Sequence, residues 1–172
     1  MRLVRYPEPV LMKKSEEVEE FNDKLRHFAY KMFEVMYRHK GIGLAAPQVG
    51  ILKRIIVINL TGNEDDEISL VNPIITKSTG SQIAEEGCLS FPGIFAKIER
   101  GEKITGNACN LLGESVDFEA HDLLARAIAH EVDHLDGILL CDKMSPTDKI
   151  ALKTELRKLE KLYAKGTCNP AS

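Results

Sequence analysis

The sequence predicts an α+β protein in which small, mostly antiparallel sheets pack around a central helix, with one further helix near each end of the chain. Two observations carry this fold class. Three segments repeat apolar residues with a helical period, and short strand-like segments separated by glycine lie between the first and second. A chain of 172 residues, 44% of them hydrophobic, can bury one substantial core. We therefore expect a single domain over residues 1–166 and a flexible tail at 167–172.

The N-terminal helix is predicted from an apolar stripe between residues 25 and 36. Asn22 is a good N-cap residue, and Gly41 lies where a glycine would end the helix. The stripe consists of Leu25, Phe28, Ala29, Met32 and Met36.

The middle of the chain is predicted to form short strands. Residues 54–60 are rich in isoleucine and valine and indicate a buried strand, and residues 68–72 indicate a second strand that ends at Pro73. Further short strands are expected at residues 94–98, 103–107 and 115–119.

Two more helices are predicted in the last third of the chain. The central helix covers residues 122–136 and ends at Gly137. The C-terminal helix covers residues 146–165, with Ser145 as N-cap, Pro146 at its first position and Gly166 after its end. It carries six Lys or Arg residues against three acidic ones.

Composition excludes several classes of protein. The chain has 23 basic and 26 acidic residues, and a net charge of −3 does not indicate a domain-wide nucleic-acid partner. No apolar segment is long enough to cross a membrane. The four cysteines show no C-x-x-C spacing, which favours a reducing intracellular compartment over a disulfide scaffold.

The strongest chemical signal is the pattern HEVDH at residues 130–134. On a helix, His130 and His134 lie one turn apart on one face, where both imidazoles can reach one metal ion. Glu131 lies beside that face, where it can take a proton from a water molecule acidified by the metal. The pattern therefore predicts a catalytic metal site.

A third protein ligand is needed, and three positions are candidates. The long metalloprotease pattern requires a histidine at position 140, but this chain has Leu140, which cannot bind a metal. Glu155 lies in a helix in which acidic and basic residues alternate, which indicates a solvated surface residue rather than a ligand. Cys88, flanked by glycine and small residues, offers a thiolate. A structural site closed by Cys109 or Cys141 remains an alternative, as does an HExxH-type zinc endopeptidase.

The glycine-rich segment GIGLAAPQ at residues 41–48 is a weaker signal. It lacks the Lys-Ser/Thr of a P-loop and follows a helix, so a nucleotide site is disfavoured. Its glycines permit close approach of an extended peptide, and the Gln48 amide can face a developing oxyanion.

Three segments together resemble the motifs of peptide deformylase: GIGLAAPQ at 41–48, EGCLS at 86–90 and HEVDH at 130–134. The similarity extends from about residue 3 to about residue 160, in the family's order and separation. It implies that residues 1–166 are a metallohydrolase domain that removes the formyl group from the N-terminal formyl-methionine of nascent polypeptides. It also implies one divalent metal ion per chain, usually Fe²⁺, with Zn²⁺, Ni²⁺ or Co²⁺ as substitutes.

The resemblance also implies a role for each matching residue. Cys88, His130 and His134 would be the metal ligands, and Glu131 would transfer the proton from the attacking water to the leaving amine. The oxyanion would be held by the metal, the Gln48 amide and the backbone N–H of Leu89.

The substrate would lie extended against the backbone of Ile42, Gly43 and the strand edge near Gly87. The methionine pocket would be lined by Ile42, Glu86, Leu123, Ala127 and His130. Asp133 would pair with Arg100 behind the metal site.

Three positions depart from the usual family pattern. Ala129 replaces a common glutamine, Phe95 stands where some members carry arginine, and Asp122 stands where glycine is frequent. These departures affect the shape and charge of the substrate groove. Cys109, Cys141 and Cys168 match no motif, so we interpret them as ordinary thiols.

The expected partners are N-formyl-methionyl peptides, together with the ribosome through the basic C-terminal helix. Neither a membrane nor a sequence-specific nucleic acid is expected. The expected location is the bacterial cytosol, or an organelle if a targeting segment has been removed.

Overall fold

The structure is a computed structural model that describes residues 1–164. Its helices are α1 (Asp23–Arg38), α2 (Asp122–Leu135), α3 (Leu140–Lys143), α4 (Pro146–Ala151) and α5 (Lys153–Ala164). Its strands are β1 (Gly43–Ala45), β2 (Ile55–Ile58), β3 (Ile68–Thr79), β4 (Gln82–Cys88), β5 (Phe91–Arg100), β6 (Lys103–Cys109) and β7 (Ser115–His121). The predicted tail at 167–172, Gly166 and Cys168 lie outside the described residues.

The strands form two separate antiparallel sheets. Five strands pair in the order β1-β2-β3-β6-β7, and β4 pairs with β5 in a hairpin. Helix α1 contacts β1 and β2, and α2 contacts β1, β2 and β7. The α+β fold class with a central helix is thereby confirmed.

Strand β2 shows why the sheet is covered on both sides. Ile55 and Val57 pack in the cluster that contains α1, whereas Ile56 and Ile58 pack in the cluster that contains α2. Successive side chains of a strand point to opposite faces, so an uninterrupted apolar run is stable only between two layers. All four residues are fully buried.

A third hydrophobic cluster lies behind the β4–β5 hairpin. Phe91, Ile94 and Ile98 of β5 pack there with Leu140 of α3 and Leu159 of α5. The N-terminal segment joins the same cluster through Val4 and Leu11. The two ends of the chain therefore meet on the hairpin, and the Tyr6 hydroxyl donates a hydrogen bond to Glu160 on α5 (2.9 Å).

Helix α1 begins as predicted and ends at Arg38, three residues before Gly41. The Asn22 side chain accepts hydrogen bonds from the N–H groups of Lys24 and Leu25. At the C-terminus the left-handed residue is Lys40 (φ 57°), not Gly41, whose N–H bonds to the Met36 carbonyl (2.9 Å). This 6→1 bond closes a Schellman motif with lysine in the position that glycine usually occupies.

Strands β3 and β5 are much longer than predicted. Strand β3 continues through Pro73 to Thr79, because the register shifts between Val71 and Ile74 and a proline at such a bulge is not required to donate. Asn72 adopts a positive φ of 52° at this bulge and exchanges side-chain hydrogen bonds with the Val18 backbone. Strand β5 extends beyond residues 94–98 in both directions.

The C-terminal region differs from the prediction as well. The single helix expected at 146–165 is interrupted at Leu152, which caps α4 before α5 begins. Leu152, Leu156 and Leu159 all pack against the third cluster, so the interruption fits the chain to that surface. The short helix α3 was not predicted, and its residue Asp142 accepts a hydrogen bond from the N–H of the N-cap residue Leu139 (2.8 Å).

Helix α2 ends at Gly137 as predicted, and the structure gives the reason. Gly137 has a φ of +72°, and its N–H and that of Ile138 bond back to the His134 and Asp133 carbonyls. A Cβ at this position would lie 2.8 Å from the Met12 carbonyl oxygen.

We expect Gly137→Ala to lower the free energy of unfolding by more than Gly62→Ala does, by about 1 kcal/mol or more. Gly62 has a similar φ of +82° but open space around its Cβ position, so the pair separates backbone strain from steric overlap. Urea unfolding followed by circular dichroism measures both. If both variants lost the same free energy of unfolding, the steric contact with Met12 would not contribute to the effect of Gly137→Ala.

Candidate metal centre and active site

Three ligand-type side chains converge where β4 meets α2. One ligand atom each from Cys88, His130 and His134 lies within 4.8 Å of the other two, and the Cys88 Sγ is 3.1 Å from the His134 Nε2. Both histidines are buried on α2, and Cys88 is half-buried at the end of β4. The helical spacing and the strand end thus bring together the three residues that the sequence singles out.

Cys88 is held in place by the turn that follows it. The β4–β5 register shifts between Gly87 and Cys88, which turns the cysteine out of the regular ladder. Ser90 anchors the turn by donating from its hydroxyl to the Val4 carbonyl (2.8 Å). The Gln48 Nε2 lies 3.3 Å from the Ser90 Oγ and 3.5 Å from the Cys88 Sγ.

The buried carboxylate of Glu86 orients His130. Its Oε2 is 2.9 Å from the His130 Nδ1, which leaves Nε2 as the ring nitrogen that faces Cys88 and His134. Arg100 donates to both carboxylate oxygens (2.6 and 3.0 Å), and Arg126 donates to Oε1. Burial alone would raise the pKa of Glu86, but hydrogen bonds from His130 and Arg100 lower it to about 2.

Glu86 makes more contacts than its predicted place in the pocket wall requires. Glu86 borders the cavity described below, as expected for a pocket residue, but its carboxylate is fully engaged with two arginines and a histidine. Such a carboxylate holds the His130 ring in one orientation, in addition to bordering the predicted methionine pocket.

Arg126 also contacts this site, although the sequence patterns did not single it out. It is buried on α2 and donates to the carbonyls of Gln82 and Ile98 (3.0 Å each) as well as to Glu86. A lone arginine between alanines on the apolar face of a predicted helix is the signal that could have revealed it. The predicted pair of Arg100 and Asp133 is present at 2.8 Å.

The two histidines experience opposite electrostatic effects. Burial, together with the charges of His130 and Arg100, lowers the pKa of His134 well below its usual value. Burial would also lower the pKa of His130, but its contacts with Cys88 and Glu86 raise it well above the usual range.

Glu131 is buried beside the three ligand atoms. Burial raises its pKa to about 7, near the value that suits a general base at neutral pH. A Cβ at position 43 would lie 2.6 Å from the Glu131 Oε1, so only glycine in β1 leaves room for this carboxylate. The first and third sequence motifs are thus in direct contact.

A cavity of about 420 Å³ opens onto this site. Its walls include the predicted substrate residues Ile42, Gly43, Glu86, Gly87, Leu123 and Ala127, and also Cys88, Leu89, Phe95, His130 and Glu131. Strands β1 and β4 each have one paired neighbour, so each presents a free backbone edge. The carbonyl of Ile42 already accepts from the Asn59 N–H (2.9 Å).

The departures from the family pattern lie around this cavity and helix. Asp122 begins α2 with a φ of 50°, which explains why glycine suits this position. Phe95 is exposed at the cavity wall, and Ala129 is half-buried on α2. Leu89 follows Cys88 directly, in the turn between β4 and β5.

The residues fit a bound metal ion. Two buried polar atoms at the site, Glu131 Oε2 and His134 Nδ1, have no hydrogen-bond partner among residues 1–164. A thiol and two imidazoles form a donor set suited to zinc or iron. The structural-site alternative is not favoured, because neither Cys109 nor Cys141 belongs to the described ligand group, and both thiols are free.

Comparison with known proteins identifies the family. The family described as polypeptide deformylase matches residues 1–150. The chain belongs to the peptide deformylase family. This family comprises metal-dependent hydrolases that remove the formyl group from N-formyl peptides of nascent chains, so the predicted enzyme class is confirmed and the endopeptidase alternative is not favoured.

Individual relatives agree with this assignment. The chain is 47% identical over 161 residues to a peptide deformylase of Acidobacterium capsulatum, covering 92% of this chain and 95% of the relative. It is 41% identical to peptide deformylase 1B, chloroplastic, of Oryza sativa, covering 97% of this chain and 63% of that one. A Plasmodium falciparum peptide deformylase structure superposes with a TM-score of 0.93 at 40% identity, covering 95% of this chain and 98% of that one.

None of the helices within residues 1–164 combines the length and apolar character that crossing a membrane requires.

We expect Glu86→Gln to weaken metal binding by about 10–100-fold, because the neutral amide removes the charge that holds the His130 Nδ1–H and leaves two arginines less compensated. Competition with a chelator measures this affinity. Glu99→Gln removes an exposed carboxylate from the same hairpin and serves as the matched control. Equal affinities of the two variants would contradict a role of Glu86 in metal binding.

Proposed function

We propose that this deformylase hydrolyses the formyl group of N-formyl-methionyl peptides at a metal centre formed by Cys88, His130 and His134, with Glu131 as the proton carrier. The observation that carries the proposal is the buried Glu131 carboxylate, one oxygen of which has no hydrogen-bond partner within the described part of the chain, beside three converging ligand atoms. An acid–base group next to a three-ligand set is the arrangement of a catalytic rather than a structural metal site.

The proposed cofactor is one divalent ion per chain, Fe²⁺ in the cell, with Zn²⁺, Ni²⁺ or Co²⁺ as substitutes. When bound, such an ion supplies Lewis acidity, which lowers the pKa of water and polarises the formyl oxygen. The free thiol of Cys88 supports a preference for softer transition metals over magnesium or calcium.

Glu131 performs the proton transfers in this proposal. Its carboxylate accepts the proton of the attacking water and then delivers it to the amine nitrogen as the formamide C–N bond breaks. Gly43 supports this role because it leaves the space that the carboxylate occupies. The fixed position of α2 against β1 keeps the group aligned for both transfers.

Two groups are proposed to stabilise the tetrahedral oxyanion. The Gln48 Nε2 is oriented by the Ala45 N–H, which donates to the amide oxygen of the same side chain (2.8 Å). The N–H of Leu89 lies in the turn after Cys88. In comparable sites the loss of one donor costs on the order of 3 kcal/mol of transition-state stabilisation.

The peptide is proposed to lie extended between the free edges of β1 and β4. Backbone pairing there involves Ile42, Gly43 and Gly87, and the formyl-methionine side chain enters the cavity beside Leu123 and Ala127. The small side chain of Ala127 leaves room for a flexible thioether.

We expect Glu131→Gln and Glu131→Ala to reduce formate release by at least about 10²–10⁴-fold, because proton transfer is lost while the three ligands stay in place. Anaerobic purification, formate release from a formyl-Met peptide and metal analysis of the same sample provide the test. Near-normal turnover of a metal-loaded Glu131 variant would refute the mechanism.

We also propose that residues 1–166 act as one domain and that it works inside the cell, in the bacterial cytosol or in an organelle. The free thiols of Cys88, Cys109 and Cys141 and the chloroplastic relative support such a location. The interlocking of both chain ends on the β4–β5 hairpin supports a single domain.

Ribosome docking by the C-terminal helices is a further part of the proposal. Lys153, Arg157 and Lys161 are exposed and lie one turn apart along α5, so they form a basic stripe that suits ribosomal RNA phosphates. Deleting the C-terminal helices would expose the third hydrophobic cluster, because Leu159 is part of it. Charge reversal on the surface of α5 avoids this loss of packing and is therefore the better test.

We expect Lys153→Glu, Arg157→Glu and Lys161→Glu together to weaken sedimentation with ribosomes by about tenfold or more at low salt, with unchanged deformylation of free peptides. The control reverses three exposed lysines elsewhere, Lys13, Lys14 and Lys24, and changes net charge equally. Equal ribosome affinity of both triple variants would rule out docking through α5.

A further inference from the structure

Three large apolar side chains are exposed around the mouth of the active-site cavity. Ile42, Leu123 and Phe95 expose 42%, 51% and 57% of their surface and come from three separate segments of the chain. Among the exposed large apolar residues within 1–164, these three line the cavity. Clustered apolar exposure at a cavity mouth indicates a surface that is covered when a ligand binds.

Phe95 does not serve the core. Strand β5 alternates regularly, with Ile94, Ala96 and Ile98 buried on the inner side. Phe95 therefore points outward, on the same side as the exposed Lys97. An aromatic ring at a position where the strand otherwise carries charged residues requires an explanation other than stability of the hairpin.

The ring is fixed at the wall of the cavity. Phe95 pairs with Gly87 across the hairpin, at the point where the register shifts, and a Cβ on Gly87 would lie 2.6 Å from the Phe95 Cε1. The ring thus lies against bare backbone of β4, the strand whose free edge borders the cavity. A ring supported in this way can present an apolar face to a ligand and loses little side-chain conformational entropy when the ligand binds.

The position of the ring relative to the chemistry defines what it can contact. The reacting formyl group must lie near Cys88 and Glu131, and the cavity floor beside Ala127 is proposed to hold the methionine side chain. A peptide that extends from there along β4 passes Phe95 with the residues that follow methionine.

We propose that Phe95 is a specificity-determining residue that favours formyl-methionyl peptides with a large apolar side chain at the second or third position. This inference rests on the proposed function, since it assumes that the substrate lies extended along β4. Contact between the Phe95 ring and such a side chain removes apolar surface of both partners from water, whereas a serine at the same position gains nothing from the ring.

The test compares formate release from two peptide pairs, formyl-Met-Phe-Ser against formyl-Met-Ser-Ser, and formyl-Met-Ser-Phe against the same reference. We expect the metal-loaded wild-type chain to prefer the phenylalanine peptide of at least one pair by about fivefold in kcat/KM. Phe95→Ser should abolish this preference, and Phe95→Leu should keep most of it.

Ile83→Ser provides the matched control, because Ile83 is an exposed apolar residue of the same hairpin (68% exposed) that does not line the cavity. It should retain the wild-type preference. A wild-type chain without preference, or a Phe95→Ser variant with an unchanged ratio, would overturn the inference while the deformylase function stands. Absence of formate release from all peptides by the metal-loaded wild type would instead refute the proposed function.

Discussion

The site depends on one buried carboxylate. Glu86 joins β4 to β5 through Arg100 and to α2 through Arg126 and His130, so a single side chain fixes three elements relative to one another. A buried anion is tolerated only when it is fully hydrogen-bonded and neutralised, and here two guanidinium groups meet both conditions. Because the same carboxylate orients His130, the packing of the hairpin on α2 and the geometry of the candidate metal ligands depend on each other.

Close packing between α2 and β1 imposes a second constraint. Glu131 occupies the space above Gly43, and the five-stranded sheet continues behind that contact through β2. Residues 88 positions apart in the chain therefore restrict each other: a larger residue at 43 displaces the carboxylate. Helix α2 carries two of the proposed metal ligands, the proposed proton carrier and part of the cavity wall, so the positions of all of them depend on the placement of one helix.

Local patterns in the sequence were enough to predict the helices α1 and α2, the strand-rich middle and the residues of the candidate metal site. Features that depend on distant contacts were not predictable. Pro73 lies within β3 because Asn72 bonds to Val18, and the C-terminal helix is interrupted at Leu152 where it meets the third cluster. The position of Arg126 between alanines on the apolar face of α2 indicates burial, but its partners on the hairpin became known only from the structure.

The free edge of β1 has a consequence for what can reach the site. Unpaired strand edges invite association with other chains, and proteins limit that hazard by keeping such edges short or covered. Strand β1 has three residues, all buried, so a wide folded surface cannot approach it. A thin, unfolded chain end can. The recess that limits edge-to-edge pairing thus also restricts access to the proposed site, and it favours a narrow extended chain over a broad folded surface.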